Sequence, residues 1–174
     1  MSHSNPYNRL KQGLQARAKK AALLPMSRAR ADLISLRFHG ALEALRRGKG
    51  WFGAAETMTR MLMLTGFLSD SGYGILDKEA MARAQRAIAH VLDTGKRSGR
   101  WCLDEATYHQ FADFVNLHDC QLHVAPLVAY DTAYGRLGRM FHALRSEQPE
   151  GYEAPPSFRR TRGSRDGAPR ASSL

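Results

Sequence analysis

The residues whose types could support chemistry gather in one stretch: His118, Asp119 and Gln121, with Asp131 further along. They lie beside the apolar positions of a helical pattern, near Pro126, whose ring clashes with the carbonyl four residues back. Buried polar side chains are almost always hydrogen-bonded, so we predict that these four form a buried polar network that fixes helix register. The alternative is general acid–base chemistry by His118 with Asp119 or Asp131, which needs a pocket and a substrate.

Other patterns that would indicate catalysis or ligand binding are missing from the sequence. His118 and His123 are five positions apart, whereas ligands on one helical face need a spacing of three or four. There is no His-Glu-x-x-His, no Walker A loop, no Gly-x-Gly-x-x-Gly between a strand and a helix, and no Gly-x-Ser-x-Gly elbow. We therefore predict no metal site, no cofactor and no enzymatic activity.

The net charge of +10 is concentrated at the two ends of the chain. Residues 1–30 hold seven basic and no acidic residues, residues 31–144 hold 13 basic and 12 acidic residues, and residues 145–174 hold six basic and four acidic residues. Basic arms bind polyanions through counterion release, with little sequence information, so the ends predict contact with DNA or RNA. The alternative is that they are solvated termini that aid solubility. The predicted nucleic-acid-binding residues are Arg9, Lys11, Arg17, Lys19, Lys20, Arg28, Arg30, Arg159, Arg160, Arg162 and Arg165.

Helical periodicity predicts an all-α protein, and no strand-like alternation competes with it. Helices are expected at about 27–47, 52–69, from Asp77 to about 95, and from Asp104 onward, with Asp77 and Asp104 as N-caps. The pattern runs on past Pro126, which predicts either one kinked helix or a fifth helix with Pro126 in its first turn. The predicted fold is a four- to five-helix bundle with a kink or break near Pro126 and disordered basic termini.

Three segments follow from these boundaries. Residues 1–25 are a basic leader, partly disordered or helical; residues 26–146 are the bundle; and residues 147–174 are a disordered tail rich in Arg, Pro, Gly and Ser. No apolar run is long enough to cross a bilayer, and the first residues lack a secretory signal, so we expect a cytoplasmic protein without a membrane span. The two cysteines, Cys102 and Cys120, agree with that expectation and are predicted to be buried thiols.

One segment of the sequence resembles a known group of proteins. Gly66-Phe67-Leu68 through Ser71-Gly72-Tyr73-Gly74, then Trp101-x-Leu103-Asp104-Glu105 and Leu117-His118-Asp119-x-Gln121-Leu122, are similar to small helical proteobacterial proteins without an established activity. Some of these are described as Fis-type transcriptional regulators. The resemblance covers residues 50–125 and implies a bacterial accessory protein. Fis proteins end in a compact helix-turn-helix, whereas this chain ends in Pro155-Pro156 and an Arg-rich tail, so no DNA-binding residue carries over.

Taken together, the sequence predicts a non-enzymatic bacterial accessory protein that contacts nucleic acid through its basic arms, with transcriptional regulation as one form of that role. The alternative is a protein–protein adaptor or a small oligomeric helical bundle without nucleic-acid binding. In that case the partner is another protein or a second copy of this chain, and an apolar helix face forms the contact.

Overall fold

A computed structural model describes residues 6–146, with the backbone only for residues 6–10, 12, 13 and 145. Within that range the chain forms six α-helices and no strand. They are α1 (Pro6–Ala22), α2 (Arg28–Arg46), α3 (Phe52–Asp70), α4 (Lys78–Ser98), α5 (Glu105–Val124) and α6 (Leu127–Ser146). The all-α prediction is confirmed, whereas the predicted count of four to five helices is wrong. The basic leader is helical over most of its length, and the chain beyond residue 124 forms a helix of its own. The predicted disordered tail lies outside the described residues.

Helix α3 is the centre of the fold. It packs against α2, α4, α5 and α6, and nine of its residues are buried. The sequence of α3 has only Glu56 and Arg60 as charged residues between Trp51 and Ser69, and such a helix is usually surrounded by others. Its neighbours present narrower apolar stripes to it, such as Phe38, Leu42 and Leu45 on α2. The apolar surface of α3 is therefore covered by other helices of the same chain.

Helices α4 and α5 begin as the sequence predicts. The Asp77 carboxylate accepts a hydrogen bond from the backbone N–H of Glu79 at 2.9 Å, and the Asp104 carboxylate accepts one from Thr107 N–H at 2.7 Å. Each satisfies an amide that has no partner within its own helix. The bond from Thr107 also lowers the pKa of Asp104 below its usual value, because it stabilises the charged carboxylate.

Of the two alternatives predicted for Pro126, the structure shows a break between two helices and not a kink in one helix. Helix α5 ends at Val124, Ala125 is extended, and α6 begins at Leu127 as a separate helix. The residue before a proline is disfavoured in the helical region, and Pro126 has no N–H to continue the α5 ladder. Its carbonyl instead accepts the first hydrogen bonds of α6, from Ala129 and Tyr130.

The same junction holds the leader against the bundle. Leu127 N–H donates to the carbonyl oxygen of Leu24 at 2.8 Å, and Pro25 and Pro126 form an isolated antiparallel bridge. Helix α1 therefore ends beside the start of α6 and packs against it.

Two surface properties complete the description of the fold. In residues 6–146 no helix is long and apolar enough to span a membrane. Both cysteines are free thiols; Cys102 is partly buried, but Cys120 is exposed, so the prediction that both are buried is wrong for Cys120. Cys120 lies on a side of α5 that its neighbours leave uncovered.

Candidate functional site

His118 lies at the middle of the bundle. Its side chain is fully buried on α5, and its ring meets Phe38 of α2 edge-on at 5.1 Å between centroids. Its Nδ1 is 3.2 Å from the hydroxyl oxygen of Thr65 on α3, and that hydroxyl donates to the carbonyl of Met61 at 2.9 Å. The Thr65 oxygen is then free to accept, so we assign the Nδ1–H tautomer of a neutral imidazole.

The electrostatics of this position favour the neutral ring. Burial lowers the pKa of His118 from 6.5 to about 4, and the nearby Gln121 and Asp119 offset only part of that effect. In the described part of the chain, Nε2 of His118 has no hydrogen-bond partner. A protonated ring would thus bury a charge with one N–H unpaired, which the interior strongly disfavours.

Gln121 joins α5 to the C-terminal end of α3 and to the turn that follows. Its amide nitrogen lies within hydrogen-bonding distance of three acceptors: Thr65 O at 3.1 Å, Ser69 Oγ at 3.0 Å and Tyr73 O at 2.7 Å. The side chain is fully buried. One amide group thus fixes where α3 ends relative to α5, which is a structural role.

Of the residues of the predicted network, the structure buries His118 and Gln121 but places Asp131 on the surface of α6, outside the cluster. Asp119 is partly buried, and its carboxylate lies 2.8 Å from Nε2 of His39 on α2. Asp131 is exposed on α6 and lies 3.9 Å from an Arg30 nitrogen, because the separate direction of α6 takes it away from the α5 cluster. Since His118 is sealed in the core and Asp131 lies elsewhere, the acid–base arrangement of these residues loses its geometric basis.

The predicted basic residues fall into three groups. On α1, Lys11, Arg17, Lys19 and Lys20 are all exposed, and the helix also carries Arg9. At the start of α2, Arg28 lies 4.0 Å from Asp32, and Arg30 pairs with Asp131. The third group, Arg159, Arg160, Arg162 and Arg165, lies outside the described residues.

A cleft between α2, α3 and α6 is the second candidate site. It has a volume of about 410 Å³, and Arg60, Tyr134 and Leu137 also line a second, smaller cavity of about 260 Å³. The lining residues are Arg30, Ile34, Arg37 and Phe38 of α2, Thr57, Arg60 and Leu64 of α3, and Tyr130, Asp131, Tyr134 and Leu137 of α6. The lining thus includes three arginines, one aspartate and three aromatic residues. We call this feature the arginine–tyrosine cleft.

Sequence reasoning missed this cleft, although its residues gave a signal. Arg37 occupies a position within the apolar stripe of α2, and Arg60 is the only basic residue of α3. Tyr134 continues the stripe that passes Pro126. A charged or half-polar residue at a core-facing position is a reason to expect a cavity or a partner there.

Comparison with protein-family models, with curated proteins and with solved structures finds no match to this chain. The resemblance to small proteobacterial helical proteins therefore stays a prediction. Among the residues that the structure describes, no group of three or more His, Cys, Asp or Glu side chains is placed to hold a metal ion. The exposed cations of α1 and the arginine–tyrosine cleft are thus the basis for a functional proposal.

Proposed function

We propose that this chain is a non-enzymatic bacterial accessory protein, cytoplasmic in location, that contacts nucleic acid through its basic segments. The observation behind this proposal is α1, which presents Lys11, Arg17, Lys19 and Lys20 to solvent and has no acidic residue along its length. A helix of this kind replaces condensed counterions on a phosphate backbone, and their release drives binding. The arginines from Arg159 to Arg165 would add to the same effect.

The position of α1 strengthens the proposal. Hydrogen bonding between Leu24 and Leu127 fixes the end of the helix against the bundle. The end of α1 that carries Lys19 and Lys20 therefore lies beside the start of α6. Binding of this type is largely independent of sequence, since phosphate contacts position a protein without reading bases. A role in transcriptional regulation would additionally require preference for one duplex over unrelated duplexes.

The test is charge neutralisation on α1 with a matched control on another face. One variant changes Lys11, Arg17, Lys19 and Lys20 to Gln, which preserves helix propensity. The control changes four exposed cations of α4, Lys78, Arg83, Arg86 and Lys96, to Gln. Both variants lose the same net charge. Fluorescence anisotropy with labelled oligonucleotides at low salt should show a loss of at least about tenfold for the α1 variant and a small loss for the α4 variant. Equal losses, or none, would refute a specific role for α1.

The alternative function, an adaptor or self-associating bundle, rests on a different observation. Leu33 and Leu36 are 70% and 69% exposed on α2, one turn apart, whereas the apolar face of α3 is buried inside the chain. Exposed leucines side by side on one helix are typical of a contact surface. Light scattering coupled to gel filtration distinguishes the two functions. An oligomer that becomes monomeric in L33E/L36E, together with unchanged nucleic-acid binding by the α1 variant, would favour the adaptor.

A further inference from the structure

The arginine–tyrosine cleft contains a stacked aromatic pair with one member open to solvent. The rings of Tyr130 and Tyr134 have centroids 6.3 Å apart and planes inclined by 23°. Tyr130 is only 6% exposed, whereas Tyr134 is 53% exposed. Tyr130 therefore supports one side of Tyr134, and the rest of the Tyr134 ring is available to another planar group. Bases in single strands stack on accessible aromatic rings of this kind.

Arginines of α2 and α3 line the same cleft as that ring. Arg30 and Arg37 are two turns apart on α2, and both line the cleft. Arg30 is 3.9 Å from Asp131. Burial raises the pKa of Tyr130, and the positive charges of Arg30 and Arg37 oppose that rise. Arg37 is exposed, and within residues 6–146 it makes no ion pair. It is thus the arginine of the cleft that is most ready to accept an anion.

Arg60 occupies the opposite wall and is already held in place. It is 2.8 Å from the Glu56 carboxylate and lies over the Phe141 ring at 5.0 Å. An arginine fixed in this way contributes less free charge, but its position costs little conformational entropy when a ligand arrives. The cleft therefore combines one open aromatic face with an unpaired guanidinium and a fixed one, in a volume within the usual range for small-ligand sites.

We infer that the arginine–tyrosine cleft binds one nucleotide unit, with its base against Tyr134 and its phosphate on Arg37. A base inside a duplex is stacked and paired and cannot enter such a cleft, so the unit belongs to a single strand or to a free nucleotide. The single-strand form rests on the proposed function, and it adds that the chain prefers single-stranded over double-stranded nucleic acid. The free-nucleotide form stands without it.

The experiment uses the full chain and three probes: a labelled oligothymidylate, a duplex of the same length, and adenosine 5′-monophosphate. Tyr134→Leu removes the ring at a half-exposed position, and Tyr134→Phe keeps it. Arg37→Gln removes the cleft arginine that makes no ion pair within residues 6–146, and Arg86→Gln removes an exposed cation on α4 as the matched control for net charge. Anisotropy reports on the oligonucleotides, and calorimetry at millimolar ligand reports on the mononucleotide. Thermal unfolding checks that each variant is folded.

We expect the single strand to bind more tightly than the duplex. Tyr134→Leu should weaken binding of the single strand by roughly 5- to 100-fold, the range measured for loss of one base–aromatic stack, and change duplex binding little. Tyr134→Phe and Arg86→Gln should behave as the unsubstituted chain does, and Arg37→Gln should bind less well. A third outcome identifies the free nucleotide as the ligand. In that outcome the mononucleotide binds, Tyr134→Leu abolishes this binding, and the chain shows no preference for the single strand.

The inference is overturned if Tyr134→Leu and Arg37→Gln bind the single strand and the mononucleotide as the unsubstituted chain does. In that case the α1 variant of the proposed function still decides whether the chain binds nucleic acid at all. If neither oligonucleotide binds, the proposed function fails, and the mononucleotide alone decides the inference. Binding that depends on Tyr134 sustains it, and no binding overturns it.

Discussion

Acidification should destabilise this protein through His118 as the pH falls from 6.5 to about 4. In the unfolded chain the imidazole takes up a proton near pH 6.5, whereas in the folded chain burial lowers its pKa to about 4. The unfolded state therefore binds more protons between these two values, and stability falls as the pH falls through this range. Above pH 7 the ring is neutral in both states, so this contribution does not vary there.

The magnitude follows from the two pKa values. Each unit of difference corresponds to about 1.4 kcal/mol, so the full loss below pH 4 is about 3 kcal/mol. About 2 kcal/mol of it should be lost between pH 7.5 and pH 5. That is a large share of the 5–15 kcal/mol by which domains are typically stable.

Urea unfolding at pH 7.5, 6.5, 5.5 and 5.0 measures the effect. His118→Gln removes the titrating ring, so its free energy of unfolding should depend less on pH than that of the unsubstituted chain, by about 2 kcal/mol over this range. His123→Gln, at an exposed position on the same helix, should follow the unsubstituted chain. NMR titration of the His118 ring provides a second readout that needs no variant. A midpoint near 6.5, or equal pH dependence in His118→Gln, would refute the assignment of a neutral buried ring.

Two further predictions concern packing and hydrogen bonding. In Gly95→Ala the new methyl group would overlap the Trp101 ring, which packs directly on this residue, so unfolding free energy should fall by about 1–3 kcal/mol. In Gly40→Ala, at a helical position with nothing within 4 Å, the free energy of unfolding should instead rise by about 0.5–1 kcal/mol because alanine has the higher helix propensity. If both glycine variants shift the urea midpoint in the same direction, these two predictions are contradicted. Gln121→Leu should cost about 1–3 kcal/mol by leaving buried acceptors unpaired, and more than Gln110→Leu, whose amide donates to one acceptor, Ala80 O, among the described residues. A smaller loss for Gln121→Leu in the same assay would contradict the prediction.

The local features of this fold could be predicted from the sequence, because their causes lie within a few residues. Asp77 and Asp104 cap helices three residues or fewer away, and Pro126 stops a helix through its own ring. Burial of His118 and Gln121 could be predicted from their place in an apolar stripe. The leader was predicted to be partly disordered or helical and was not counted with the bundle, because its few apolar residues give only a weak helical signal.

The features that join distant segments could not be predicted in the same way. The partners of Gln121 are 48 to 56 residues away in the sequence, and no pattern within α5 indicates which acceptors face it. The prediction that Asp131 joins the α5 cluster failed, because the direction of α6 depends on packing against α3 and α1, and no local pattern indicates that packing. Three helices form the cleft, so Arg37 and Tyr134 line the same cavity only after folding.

The central claim is that α1 binds nucleic acid by releasing counterions, and the salt dependence of binding tests it most directly. Affinity for a labelled single strand should be measured between about 50 and 200 mM salt for the full chain and for the variant with Lys11, Arg17, Lys19 and Lys20 changed to Gln. Because the variant loses four phosphate contacts, its slope of log affinity against log salt should be less steep than that of the full chain by about 3. Equal slopes in the two proteins, or no binding by the full chain, would contradict the claim.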